Sequence, residues 1–161
     1  MTFSSQNKEC EKNRMKITLQ QINHGKEEII VKYKQMTARI EDIVRYVEGQ
    51  GEKLLGSKDG QDYMLPVPNI IYFESVDGIT YIYTEDSVYK GHLTLALAEV
   101  MYANMGFVRC SKSMVINMYH MERLKSMPGN RIDVMMGNGE HVIISRRYAK
   151  EIRRILKEEG Q

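Results

Sequence analysis

Turn dipeptides at short intervals are what most limit the folds open to this chain. Between residues 53 and 144, Asp59-Gly60, Asp77-Gly78, Glu85-Asp86, Pro128-Gly129-Asn130 and Gly137-Asn138-Gly139 break the sequence into short pieces. Aspartate followed by glycine accepts the positive φ that a two-residue hairpin turn requires, so each such pair predicts two flanking antiparallel strands. The apolar pattern between the turns predicts strands over residues 53–57, 63–67, 69–75, 80–84, 87–91, 107–110, 114–118, 121–127, 131–136 and 140–144. Two stretches keep a helical period instead. Residues 93–105 place Leu93, Leu97, Val100 and Met101 along one face, and residues 146–158 place Tyr148, Ile152, Ile155 and Leu156 along another. The expected class is α+β, mainly β, with short antiparallel strands in small sheets and two or three helices.

Upstream the pattern weakens. Residues 1–14 are polar and unpatterned and are expected to form a flexible tail. Residues 15–52 read as a small β-β-α attachment, with strands at 16–22 and 28–34 around His24-Gly25. A helix at 38–48 follows, carrying Ile40, Ile43, Val44 and Val47 and stopped by Gly49 and Gly51. Such a piece is too short for a core of its own, so residues 53–161 form the principal domain. Hydrophobic residues make up 42% of the 161, enough for a folded core. No apolar run reaches the roughly 18 residues of a membrane span, and the polar N-terminus lacks a secretory pattern. Cys10 and Cys110 are too few for a disulfide framework, which places the protein in a reducing cytoplasm.

The net charge of +2 is informative only in segments. Residues 1–58 hold 11 Lys+Arg against 8 Asp+Glu, residues 59–106 one base against seven acids, and residues 107–161 eleven bases against six acids. The middle is therefore acidic and the C-terminal third basic, which favours an anionic partner for the latter. No enzymatic constellation accompanies these charges. His24, His92, His120 and His141 lack metal-ligand spacing with one another or with a Cys-x-x-Cys pair, and neither Ser145 nor Ser113 has a base placed to activate it. No catalytic residue, metal or cofactor is expected. Cys110 stands beside Arg109, whose charge could lower its pKa, against the alternative of a buried, inert thiol.

Two basic clusters stand out. In Ile143-Ile144-Ser145-Arg146-Arg147-Tyr148, Ser145 suits the N-cap of the last helix, and two arginines occupy its first turn. Cations are unfavourable there with respect to the helix dipole, so the pair either serves a phosphate or is neutralised by Glu151 or the acidic middle. In Arg109-Cys110-Ser111-Lys112-Ser113, small hydroxyls alternate with bases at the exit of a strand. That composition suits phosphate and guanine-edge contacts, or an ordinary polar loop.

Three blocks, NIIYFES at 69–75, FVRCSKSMVIN at 107–117 and ISRRY at 144–148, together resemble the LytTR-type DNA-binding domain of bacterial response regulators in order and spacing. The resemblance covers about residues 58–157. It implies that DNA is read by loops and strand ends at one edge of the sheets, with no helix-turn-helix. It implies three DNA-facing places: the loop after Glu74-Ser75, where Thr80 lies; Lys112, entering a major groove; and Arg147 with Arg146 beside it, in the next groove or on phosphate. Arg109 and Ser113, with Ser111 between them, fall where the loop is anchored close to the DNA backbone.

The same resemblance implies double-stranded DNA with repeated sites as partner, bound by a homodimer or by paired copies, and allows a membrane-protein partner. Only about 55 residues precede the motif region, against about 120 for a receiver domain, so aspartyl phosphorylation on this chain is not expected. The competing reading is a protein-interaction module of a membrane-linked signalling system that does not itself bind DNA.

Overall fold

The computed structural model describes residues 15–47 and 51–159, so the tail expected at 1–14 lies outside the described residues. The chain divides into two units, Met1–Glu41 and Asp42–Gln161. In the first, the described residues before position 38 form no strand, which corrects the two strands expected at 16–22 and 28–34. Gly25 does adopt the turn conformation, at φ +101. The alternation there supplies an apolar face with nothing to cover it: Ile17 is 81%, Leu19 92% and Ile29 69% exposed. A two-stranded hairpin without a third strand or a packed face is marginal in water. The expected helix does form, as α1 (Ala38–Val47). Thr37 opens it, its hydroxyl accepting the Ile40 amide at 3.4 Å and its carbonyl the Glu41 amide at 3.0 Å.

After α1, the described residues of the second unit hold ten strands and two α-helices. They follow one another as β1 (Lys53–Lys58), β2 (Gln61–Pro66), β3 (Tyr72–Val76), β4 (Ile79–Tyr83), β5 (Val88–Gly91), α2 (Leu95–Met101), β6 (Phe107–Ser111), β7 (Met114–Asn117), β8 (Met121–Met127), β9 (Arg131–Met136), β10 (His141–Ile144) and α3 (Arg146–Glu159). Seven strands form one antiparallel sheet in the order β2-β1-β5-β4-β3-β7-β6, and three form another, β10-β9-β8. Asp59 and Gly60 (φ 52 and 74) and Asp77 and Gly78 (φ 50 and 78) close the β1–β2 and β3–β4 hairpins in the conformation expected of their residue types.

Two cores lie on either side of the larger sheet. On one side Phe73, Ile82, Phe107 and Val115 pack beneath Leu95, Ala98 and Tyr102 of the α2 region. On the other, Tyr72, Cys110 and Ile116 meet Ile132, Val134, Val142 and Ile144 of the smaller sheet and Ala149 and Ile152 of α3. β3 and β7 are buried on both faces, which is why NIIYF and MVIN read as continuous apolar runs and not as alternation. Asn117 is buried in the turn after β7, donating to the Ile70 carbonyl at 3.0 Å and accepting from the Tyr119 amide at 3.1 Å.

One helical face differs from expectation. The hydroxyl of Thr94 accepts the Leu97 amide at 3.2 Å and starts α2 at Leu95, so Leu95, Ala98 and Tyr102 turn inward. Leu97, Val100 and Met101 are left 48%, 77% and 50% exposed. The period predicts a helix correctly, while the cap sets its phase.

A tyrosine pair ties the two sheets together. Tyr72 and Tyr83 stack at 4.2 Å between ring centroids; Tyr72 donates to Glu140 in the β9–β10 turn and Tyr83 to Glu74 at 2.8 Å. Burial, reinforced by the Glu74 bond, pushes the Tyr83 phenol up to about 12, and burial with Glu140 raises Tyr72 further. An unfolded tyrosine ionises near pH ~10, whereas the folded pair keeps its protons, so the folded state loses stability as pH rises above about 10. Denaturant midpoints should be level up to about pH 9 and fall between about pH 10 and 12. Tyr83→Phe should flatten that fall; an unchanged slope in the variant would remove Tyr83 as its source.

Candidate nucleic-acid interface

Strand pairing gathers the basic clusters at one end of the larger sheet. The end of β3 pairs with the start of β4 and lies beside the start of β7, with Glu74 opposite Met114. The Asp77-Gly78 turn and the Ser111–Met114 loop are therefore neighbours, joined by a 2.8 Å hydrogen bond from the Ser75 amide to the Ser113 carbonyl. α3 begins at the same place, because the Ser145 amide donates to the Cys110 carbonyl at 2.9 Å. At its first turn the Ser145 carbonyl accepts the Tyr148 and Ala149 amides at 3.0 Å.

Lys112, Ser113, Arg146 and Arg147 are all exposed there. Among the described residues neither Arg146 nor Arg147 has a carboxylate partner. Glu151, the acid available to neutralise them, is held by Arg154 at 2.5 Å, and that hydrogen bond keeps its carboxyl below the usual range. The Arg147 guanidinium lies 5.5 Å from the Tyr148 ring centroid, a contact that restrains it without consuming its charge. At the opposite end of β4, Glu85 and Asp86 are exposed. Five residues of strand put that acidic turn about 17 Å from the basic end.

The remaining expected residues are placed differently. Arg109 is half-buried, and its side chain is directed to Ser111, Lys112 and Glu99. Ser111 is half-buried and its hydroxyl accepts the Ser113 amide at 3.3 Å. Thr80, expected in a DNA-facing place, is 6% exposed. The period of two along β4 points it to the same covered face as Ile82, so it floors a recess of about 510 Å³ rimmed by Gly78, Thr94, Arg109, Lys112 and Ser113. Glu99 went unnoticed in the sequence because it sits in the acidic middle, ten residues from the arginine it meets.

Cys110 falls at the register shift between Arg109 and Ser111 and is fully buried. Burial pushes its thiol up to about 12, outweighing the nearby Arg109 charge, so the inert alternative holds. A maleimide or iodoacetamide at pH 8 should label no more than one thiol per native chain and both in denaturant. Labelling of Cys110 in the native protein would contradict this. Three of the four histidines are also occupied: His92 with Ser57 at 2.8 Å, His120 with the Pro68 carbonyl at 2.7 Å and His141 with Asp133 at 2.8 Å. Among the described residues no group of three or more His, Cys, Asp or Glu is arranged to hold a metal. None of their helices is long and apolar enough to cross a membrane.

Comparison with known proteins agrees with this architecture. The family model described as the LytTr DNA-binding domain matches residues 60–157. A sensory transduction protein LytT of Bacillus cereus is 28% identical over 94 residues, 58% of this chain and 38% of its own length. The LytT of Bacillus subtilis is 25% identical over 130 residues, 81% of this chain and 54% of its own. The chain thus spans about half or less of these relatives. An uncharacterised HTH-type transcriptional regulator of Staphylococcus aureus is 26% identical over 75% of this chain and 83% of its own length. A solved LytTr DNA-binding domain from Bacillus cereus superimposes with a TM-score of 0.62 at 24% identity, over 65% of this chain and 96% of that one.

Proposed function

Because this chain belongs to the LytTR DNA-binding domain family, we propose that it is a sequence-specific transcriptional regulator that holds double-stranded DNA by the basic end of its larger sheet. The observation that carries the reading is the meeting of Lys112, Arg146 and Arg147 at one place, exposed and without carboxylate partners among the described residues. Lys112, at the tip of a hairpin, suits a guanine edge in the major groove. Arg147 and Arg146, at a helix start, suit the neighbouring groove or its phosphates. The described helices are separated by strands, so loops and strand ends, not a helix-turn-helix, make the contact. The acidic turn at the far end of the sheet disfavours general coating of DNA and leaves one approach. The protein acts in the cytoplasm, as a homodimer or as paired copies on repeated sites.

A salt titration of the full chain on DNA from its own upstream region tests this. About 4–8 phosphate contacts per site should give a slope of log K on log salt between about −4 and −7. Absence of any complex at low salt would remove the DNA reading.

A further inference from the structure

We propose that Glu99 and Arg109 are positioning residues for the DNA-reading loop: Glu99, on α2, aims Arg109, and Arg109 is used on the loop backbone and not on DNA. The proposal rests on the DNA-binding reading above. It begins from a contrast between hairpins. The β1–β2 and β3–β4 turns close themselves, because Asp59-Gly60 and Asp77-Gly78 adopt positive φ at both central positions. The β6–β7 hairpin also has two central residues, Lys112 and Ser113, between paired Ser111 and Met114. Neither has positive φ. A two-residue turn built from negative φ twists against the strands it joins, so something else must hold it.

Arg109 supplies that hold. Its Nε donates to the Ser111 carbonyl at 2.8 Å and its Nη2 to the Lys112 carbonyl at 2.5 Å. One edge of the guanidinium thus spans two successive carbonyls, and the remaining nitrogen faces Glu99 at 3.5 Å. The Arg109 side chain is 18% exposed. The two-donor edge that Arg offers to a bidentate phosphate contact is, in Arg109, already engaged. The register shift between Arg109 and Ser111 bends the strand at the same point, as bulges do where a side chain is re-aimed. Glu99 is itself fixed by the packing of α2, whose neighbours in sequence and turn, Ala98, Leu95 and Tyr102, are buried against Phe73 and Phe107. The path from helix core to reading residue is therefore contiguous: α2, Glu99, Arg109, the Lys112 carbonyl.

Three variants of the full chain separate this from a direct phosphate contact. Arg109→Lys keeps the charge but cannot span two carbonyls. It should bind upstream DNA about tenfold more weakly, with reduced base preference at the position read by Lys112 and a wild-type salt slope. Its amides at 111–114 should exchange faster with solvent in the absence of DNA. Glu99→Gln should shift the same readouts in the same direction by roughly two- to fivefold, as a half-exposed pair permits. Adding Arg109→Lys to Lys112→Ala should cost no further base preference. Arg109→Lys that behaves as wild type, or that weakens binding with base preference and exchange at 111–114 intact, would overturn the proposal. If the wild-type chain formed no complex with DNA, the function would fail, and hydrogen exchange alone would decide the clamp. Faster exchange in Arg109→Lys would uphold it, and unchanged exchange would refute it.

Discussion

Removing both exposed cations of the proposed interface, as Lys112→Ala with Arg147→Ala, is expected to weaken operator binding by about 2–6 kcal/mol, from about 1–3 kcal/mol for each. That corresponds to a loss of roughly 30-fold to 10⁴-fold, at about 1.4 kcal/mol per factor of ten. The two effects should add. Lys112 stands on the β6–β7 loop and Arg147 on the first turn of α3, and the two side chains share no hydrogen-bond or ion-pair partner. Each single variant should weaken a different part of the base preference, because the residues approach DNA from different elements. Both side chains are exposed, so the thermal midpoint should stay close to wild type. Fluorescence anisotropy at one fixed salt concentration measures the loss. A double variant within twofold of wild type would dismiss both residues as the contact.

Phe73→Ala should cost about 3–5 kcal/mol of unfolding free energy, the range for truncating a buried aromatic. Phe73 is fully buried in β3, with its ring centroid 5.4 Å from Phe107 and 6.2 Å from Tyr102. β3 pairs on both sides, with β4 and β7, so the cavity would open where the backbone is least able to collapse. Domains of this size are stable by about 5–15 kcal/mol, so the variant should sit near the edge of folding. A shift of the denaturant midpoint with an unchanged slope measures it. Val100→Ala, on the 77% exposed outer face of α2, is the control and should move stability by less than about 0.5 kcal/mol.

The contrast between those two residues shows how far the sequence could be read. Strand boundaries in the second unit follow the turns because Asp-Gly pairs reach positive φ cheaply and few other pairs do. Helix phase was not legible: the apolar residues of 93–105 fit two faces, and the Thr94 cap chose the one that buries Ala98 and exposes Val100. Nor did any local pattern show that Thr80, on β4, lines a recess beside Lys112 and Ser113. At 16–22 the alternation was present but the covering layer was not, so a strand pattern produced no strand.

Local chemistry in the sequence thus determined which segments of the second unit extend, where they reverse and which loops carry bases. Tertiary structure alone decided that Ser145 bonds to Cys110, that Glu99 meets Arg109, and that Lys112 and Arg147 share an end of the sheet. Turn preference and period act over a few residues, so they leave open which distant strands become neighbours. The cost of closing the intervening loops grows only slowly with their length. The order β2-β1-β5-β4-β3-β7-β6 is therefore set by how Phe73, Val115, Tyr72 and Ile116 pack into two cores, and the positions of Lys112, Arg146 and Arg147 follow from that packing.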